Sequence, residues 1–558
     1  MTTGQQAGDP QAEAADTATA AGSASPGLAR SGVAMAIGTL ASRGSGFLRT
    51  VVIAVALGET LGDPYNIANT IPNILYDLLL GGVLSSVVVP LLVAAAARDE
   101  DGGEAYAQRF VTMVVATLTV AAVVGVLLAP QLVHLYSHSL PGPDDRLATT
   151  FARYFLPQVL FYGVGAVFGA ILNTRGSFAP PMWVPVLNNL VVIASGVLFL
   201  VLTHHNASAA DLSTGDTLVL AVGTTAGVIV QTVALLPALR RVGFRLRLRF
   251  DWRGAGLRSA GGFAGWMIGY VVTNQLGYIV IVNLASASAQ GRGQPGFGFS
   301  PYSYAFILFS LPYAVISVSV ITALFPQMSR SAVAGDRRSV ADTMAHGLNL
   351  SAVLLVPATA VLVALGPLLA TVVFAHGRIP VAGARLIGWT LAGFGIGLVP
   401  FSAFQVQLRA FLALRDSRTP FVVNVVITAL NVGADVALYE VLPARAKVAG
   451  LAVGFSISYA VGTLVFARLL RHRLGRADRR VTQTHTRLAA ATLVAVVPTY
   501  VIARLLTAGL GLGVEAALVA VVVGTSAGAG VFLGLARRMR VPELEEMALV
   551  VRRRLRLG

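Results

Sequence analysis

The chain contains no cysteine in 558 residues, which excludes disulfides, thiolate metal sites and a cysteine nucleophile. Charge is scarce as well. Only 12% of residues are charged, against about 25% in a soluble domain, too little to coat a water-exposed surface. Acid is the scarcer sign, with 25 Asp and Glu against 41 Lys and Arg. No P-loop, dinucleotide fingerprint, metal-binding run or Ser-His-Asp set with a domain to hold it is found. What remains is 55% hydrophobic, with a mean hydropathy of +0.74. These values describe an all-α polytopic membrane protein.

A spanning helix needs about 20 mostly apolar residues. Fourteen such runs centre near residues 45, 82, 121, 162, 193, 227, 270, 314, 356, 395, 430, 458, 496 and 524, and are numbered here as spans 1 to 14. The stretch 366–385, between spans 9 and 10, is poorly delimited. The net charge of +16 would suggest nucleic acid on a soluble protein; here it follows the loops, and no nucleic-acid partner is expected. Thirty of the 41 basic residues fall in even-numbered loops and tails, including Arg240, Arg241, Arg245, Arg247, Arg249, Arg253 and Arg258 after span 6. Eight lie in odd loops or at their edges: Arg146, Arg153, Arg292, Arg378, Arg385, Arg445, Lys447 and Arg504. This asymmetry places both termini in the cytoplasm. Residues 1–27 read as a disordered tail without the basic region of a signal peptide, so the first span is expected to be retained. The tail 541–558 is basic and partly amphipathic; it reads either as an ordinary positive-inside tail or as a segment on the anionic leaflet.

Two turns match. Leu172-Asn-Thr-Arg175-Gly-Ser177-Phe-Ala-Pro180 joins spans 4 and 5, and Leu412-Ala-Leu-Arg415-Asp-Ser417-Arg-Thr-Pro420 joins spans 10 and 11. Six spans separate the copies, so both have the same orientation. That predicts two six-helix lobes related by an axis along the membrane normal, as in parallel-repeat transporters. The expected division is an N-lobe over 28–240 (spans 1–6), a C-lobe over 241–475 (spans 7–12), and spans 13 and 14 over 476–540.

Ionisable residues inside spans are the functional candidates, because a charge at bilayer depth costs several kcal/mol. Arg43 and Arg49 lie in the first span and Arg409 in the tenth. The first two are six residues apart, about 120° around a helix. They suit either anion binding at a wide cavity, where the guanidinium fork matches phosphate oxygens, or structural pairing with Asp77 of span 2. Asp63 opens span 2 as an N-cap, or as a gate residue or arginine counter-ion. Asn69, Pro72 and Asn73 suggest a break in that span lining a cavity, and Gly81-Gly82 adds flexibility. Asn431 and Asp435 share one face of span 11. With Asn274 and Gln275 of span 7 they offer oxygen ligands for Na⁺, or Asp435 is protonated or paired. The sequon Asn206-Ala-Ser208 is discounted in a chain of bacterial composition, and His134, His138, His204, His205 and His376 read as surface residues.

Ser42-Arg43-x-x-Gly46-Phe47-x-Arg49, Gly62-Asp63, Ile71-Pro72-Asn73-Ile74-Leu75 and Gly82-x-x-Ser85-x-x-x-x-Pro90 resemble the MurJ/MviN lipid II flippases, part of the multidrug/oligosaccharidyl-lipid/polysaccharide exporter superfamily. The stretch from Leu311-Pro312 to Pro326-Gln-Met-Ser329 looks like that family's eighth helix, and the resemblance covers about residues 30–540. It implies a non-enzymatic flippase of the bacterial plasma membrane. Its cargo would be the undecaprenyl-diphosphate-linked peptidoglycan precursor, carried outward by alternating access for cell-wall synthesis. It also implies substrate contacts at Arg43, Arg49 and Asp63, to which Asn73 and Asp77 of span 2 are added as candidates, and a Na⁺ site at Asn431 and Asp435 with Asn274 as a neutral candidate. No other cofactor is expected. The expected partners are the lipid-linked precursor, membrane lipids and cell-wall synthesis proteins, around a monomer. Three departures are visible. Tyr76-Asp77 stands where the family has a basic pair, Ile307 falls near the place of a helix-8 arginine, and the helix-7 carboxylate has no clear match. An exporter of another polyprenyl-linked glycan, a drug or cation antiporter, and a polyprenyl-sugar membrane enzyme are the alternatives.

Overall fold

The computed structural model describes residues 26–78, 89–140, 142–203, 208–251, 261–289, 297–475 and 479–544. The N-terminal tail to residue 25, the C-terminal tail from 545, Gly81-Gly82, Ser85, Asn206, Arg253, Arg258 and Arg292 lie outside the described residues.

Every regular element among the described residues is helical. In hydrocarbon each backbone N–H and C=O must be satisfied within its own segment, and a helix does this for apolar runs of this length. Twelve helices are long and apolar enough to cross a membrane, and a bent pair, Val381–Ile396 with Leu398–Ala413, makes a thirteenth span with a 47° bend. Each coincides with a span read from the sequence. The remaining one, span 2, is described as Gly62–Tyr76 and Val89–Arg98, and its centre falls on residues that are not described. The poorly delimited stretch after span 9 resolves into a helix ending at Phe374, a turn, and a new helix from Val381. The break expected near Asn69 and Pro72 lies further on. The α-helix continues through Pro72 to Tyr76 and widens to a π-turn at Asp77 and Leu78.

The helices form two lobes and an appended pair. In the N-lobe, span 1 (Pro26–Leu57) lies along span 5 (Ala179–Leu202). Asn189 donates from Nδ2 to the carbonyl of Ser42 at 3.2 Å and to Ser45 Oγ at 2.9 Å. Small residues let the two backbones approach, as membrane helices require: a Cβ on Gly38 would stand 2.7 Å from the Trp183 ring, and one on Gly196 would stand 3.1 Å from Ile53. In the C-lobe, spans 9 (Arg337–Phe374) and 10 cross so closely at Gly366 and Gly388 that a Cβ on Gly388 would sit 2.3 Å from the Pro367 backbone. Spans 13 (Arg479–Leu510) and 14 (Val514–Arg538) pack on each other and against span 9.

The apolar core has a directional layout. One cluster joins the lobes, running from Ile53, Leu61, Tyr65, Phe151 and Phe155 of the N-lobe to Phe299, Tyr304, Phe374 and Phe394 of the C-lobe. Two others each stay inside a single lobe: Phe110, Phe168, Ile171 and Phe244 in the first, and Met328, Phe404, Phe411 and Phe466 in the second. The shared core lies at the end where span 1 meets span 2, termed the closed end here. The separate cores lie toward the opposite, far end. The lobes are therefore fused at one end and independent at the other.

Candidate functional site

The closed end is sealed by polar contacts as well as by the shared core. Asp63, only 7% exposed, does not cap its own helix. Its carboxylate accepts from the backbone N–H of Phe299 at 3.0 Å and of Ser300 at 2.6 Å, the first residues of span 8 (Phe299–Val333). A carboxylate at a helix N-terminus satisfies orphan donors and meets the positive end of the helix dipole. Here the two partners belong to different lobes. Glycine is required beside it, because Gly298 has φ +106° and a Cβ there would stand 2.0 Å from Asp63 Oδ2. Asn66 Nδ2 donates to Ser300 Oγ at 2.9 Å. Further round, the Arg378 amide donates to the Val55 carbonyl at 3.2 Å, and its guanidinium donates to the Thr203 carbonyl while lying over Phe199. Asn283 of span 7 donates to the Leu135 carbonyl and contacts His138. The N-cap reading of Asp63 is thus corrected: it caps a helix of the other lobe.

Below the seal lies a cavity of about 430 Å³. Span 2 contributes Asn73 and Asp77 to its wall, span 7 Asn274 and Gln275, span 8 Tyr302 and Ile307, span 11 Asn424 and Asn431, and span 12 Phe455 and Tyr459. It brings together Asn73, Asp77, Asn274 and Asn431 from both lobes. Arg43, Arg49, Asp63 and Asp435 are not part of this wall.

Arg43 is exposed and Arg49 half-buried. Arg43 lies fourteen residues before the end of span 1, and Tyr313 fourteen residues after the start of span 8. Both are therefore about 21 Å from the closed end along their helices. Arg43 and Tyr313 thus stand at the same depth on opposite lobes. Arg49, six residues further along span 1, lies about 9 Å nearer the closed end. The two ion pairs among the described residues are Arg109–Asp251 and Arg473–Asp416, so Asp77 pairs with neither span 1 arginine. Arg409 lies over the Phe325 ring at 5.9 Å with its Nε buried and without a hydrogen-bond partner.

Asp435 is fully buried. Asn431 Nδ2 donates to its Oδ2 at 2.9 Å, while Oδ1 has no hydrogen-bond partner. The carboxylate presses against Gly454 of span 12, where a Cβ would stand 2.0 Å from Oδ1. A carboxylate at this depth with a free oxygen is costly unless it carries a proton or holds a cation. The orphaned carboxylate oxygen is of a kind that suits Na⁺ chemically; Asn431, its hydrogen-bond partner, also shares the cavity wall with Asn274, which Asp435 itself does not reach. No group of three or more His, Cys, Asp or Glu able to hold a metal occurs among the described residues, so neutral oxygens would have to complete a coordination shell.

Sequence reasoning passed over Arg378, Asn283, Tyr302 and Tyr459, and singled out Arg409 only as a buried charge. A signal existed for Arg378: it stands in an odd loop against the general charge bias, and it earns that place as a clasp between lobes.

Two like-oriented helical lobes, fused at one end above a cavity of mixed polar and apolar lining, define a multi-span membrane transporter. Residues 53–519 match the family model described as lipid II flippase MurJ, and the chain belongs to that family. Arg43 and Arg49 precede the matched region. Among curated relatives, lipid II flippase MurJ of Burkholderia cenocepacia is 27% identical over 443 residues, covering 78% of this chain and 82% of the relative. The probable lipid II flippase MurJ of Synechocystis is 28% identical over 430 residues, covering 75% and 78%. Among solved structures, a lipid II flippase MurJ in an inward closed conformation superposes with TM-score 0.73 at 17% identity, covering 91% of this chain and 99% of that one. A MOP superfamily transporter from Pyrococcus furiosus gives 0.58 at 14% identity, covering 79% and 95%. At these identities the structures speak for the fold.

Proposed function

We propose that this chain is a flippase carrying the undecaprenyl-diphosphate-linked peptidoglycan precursor from the inner to the outer leaflet of the bacterial cell membrane. The loop-charge bias sets both termini in the cytoplasm, which turns the Asp63 end outward and the separated lobe ends inward. A diphosphate-sugar headgroup cannot cross about 30 Å of hydrocarbon unaided. It enters between the lobes from the inside, meets Arg43 and Arg49, and leaves its polyprenyl tail in the lipid. Arg43 at mid-depth makes the first contact and the deeper Arg49 holds the headgroup toward the seal; Asn73 and Asp77 line the path. Opening of the Asp63–span 8 seal, with closure of the far end, releases it outside. No covalent bond is made or broken. An inside-negative potential favours outward movement of a dianion by about 4–5 kcal/mol per 100 mV. Asn431 and Asp435, with Asn274, would hold a coupling Na⁺, which supplies a positive charge whose binding depends on the lobe state. The protein works as a monomer, alongside the cell-wall synthesis proteins that consume the exported precursor.

The observation that carries this reading is the combination of a seal at one end only with membrane-depth arginines that no described carboxylate neutralises. Complementation of a flippase-depleted strain tests it. Arg49→Ala, present in the membrane at wild-type level, is expected to support no growth. Normal growth of that strain would remove Arg49 from the mechanism.

A further inference from the structure

The segment 244–251 between the lobes reads Phe-Arg-Leu-Arg-Leu-Arg-Phe-Asp. It follows span 6 and has no helical structure. Its backbone is pinned to span 3 (Glu104–Leu127). The Arg245 amide donates to Glu104 Oε1, Gln108 Nε2 donates to the Arg245 carbonyl at 2.7 Å, and the Arg249 amide donates to Thr112 Oγ1 at 2.9 Å. Asp251 pairs with Arg109 at 3.7 Å. From Glu104 to Thr112 the helix rises about 12 Å, and four residues of strap cover that length only when extended, at about 3.4 Å each.

An extended ribbon held by its edge sends alternate side chains to opposite faces. Arg245, Arg247 and Arg249 therefore share one face, and Leu246, Leu248 and Phe250 share the other. Phe244 is buried as the anchor. Beyond it Leu246 is 49%, Leu248 62% and Phe250 70% exposed. The arginines are exposed too, and neither described ion pair uses one of them. The strap climbs span 3 to Thr112, just past Arg109, the last charge before an unbroken uncharged run through span 3. Its far half thus stands at the level where the helix enters hydrocarbon.

We infer that this strap is a binding surface for anionic phospholipid. Leu246 and Leu248 dip into the acyl boundary, while the three arginines reach lipid phosphates at the headgroup level. The alternation meets both demands of that interface: apolar teeth on one face and guanidinium forks on the other. A lipid-bound strap would tie the linker between the lobes to the bilayer surface beside the far-end mouth. The inference rests on the membrane-spanning fold and not on the cargo.

Because the chain has no cysteine, Leu248→Cys in the full-length protein carries a single environment-sensitive fluorophore. The probe is a nanodisc of phosphatidylcholine alone or mixed with phosphatidylglycerol. Emission should be blue-shifted and severalfold brighter in the anionic disc, and quenched by a nitroxide-bearing lipid. Neutralising Arg245, Arg247 and Arg249 to Gln should weaken the bilayer contact by roughly fivefold per charge, and the triple Arg→Lys variant should keep it. Water-like emission insensitive to phosphatidylglycerol would overturn the inference. So would lipid-independent protection that grows with protein concentration, the mark of a second copy on the strap. Loss of contact in the Lys variant would also overturn it, since charge toward phosphate would then not be the cause.

Discussion

The N-lobe and C-lobe build the same turn from different chemistry. In the N-lobe, Gly176 takes the left-handed conformation (φ +76°) and Ser177 N–H closes onto the Leu172 carbonyl. In the C-lobe, Arg415 takes it (φ +58°) and Asp416 N–H closes onto the Phe411 carbonyl. Both are helix-ending six-to-one closures, one position out of step in the aligned repeat. Each turn is then tied to the end of its lobe's sixth span by an arginine, from opposite sides. Arg175 reaches from the turn to the Val242 carbonyl and lies over Phe244. Arg473 reaches from span 12 to Asp416 and Thr419. What the repeat keeps is a helix stop and a clasp, and the residues supplying them have traded places. The charges within the spans differ too: the N-lobe has Arg43, Arg49, Asp63 and Asp77, all on spans 1 and 2, whereas the C-lobe has the buried Asp435 and Arg409 on spans 11 and 10.

The largest test of this comparison is at the junction of the lobes. Asp63→Ala leaves the Phe299 and Ser300 N–H groups buried without an acceptor and should lower stability by about 3 kcal/mol, read as a drop in unfolding temperature in detergent. An unchanged temperature would show that the seal rests on the apolar core alone. Next comes the fully buried carboxylate of the C-lobe, Asp435. If Asp435 holds Na⁺, the wild-type chain gains about 2.7 kcal/mol at a concentration a hundredfold above the dissociation constant. Asp435→Asn should abolish the shift seen when Na⁺ replaces choline, and persistence of the shift would place the ion elsewhere.

Smaller effects sharpen the turn comparison. A Cβ on Gly176 meets nothing within 4 Å, so Gly176→Ala should cost about 1 kcal/mol through backbone conformation alone. Arg415→Gly should relieve a similar strain, and equal signs for the two would refute the correspondence. Smallest is the response to acid. Burial raises the Asp416 carboxyl, but donors from Thr419 and the Arg473 guanidinium outweigh it and hold the group below its ordinary 3.8. Its contribution is therefore complete above that value and lost as pH falls through the lower folded one. Because the pair is partly exposed, the loss is a few tenths of a kcal/mol, and Asp416→Asn should flatten it. The N-lobe clasp, made to a carbonyl and a ring, should show no such step.

Much of the architecture was legible because bilayer thickness imposes a length on every span and charge is costly inside it. Arg43, Arg49 and Arg409 stand out from their neighbours for that reason, as do the two aligned turns. The helix break in span 2 is misplaced because Pro72 stands inside a helix that continues to Tyr76, and the irregularity comes at Asp77 and Leu78. Asp63 was ambiguous because a carboxylate before an apolar run signals a cap, while nothing local says which helix it caps. The cavity aromatics Tyr302 and Tyr459 carried no signal, since a tyrosine in an apolar run looks the same in a core and on a cavity wall.

The proposed mechanism depends on Arg43 and Arg49 gripping a lipid-linked diphosphate. Native mass spectrometry of the chain released from its own membrane addresses it directly. Wild type should retain a polyprenyl-diphosphate glycolipid that the Arg43→Ala/Arg49→Ala protein, equally folded, has lost. Equal retention by both proteins would contradict the account.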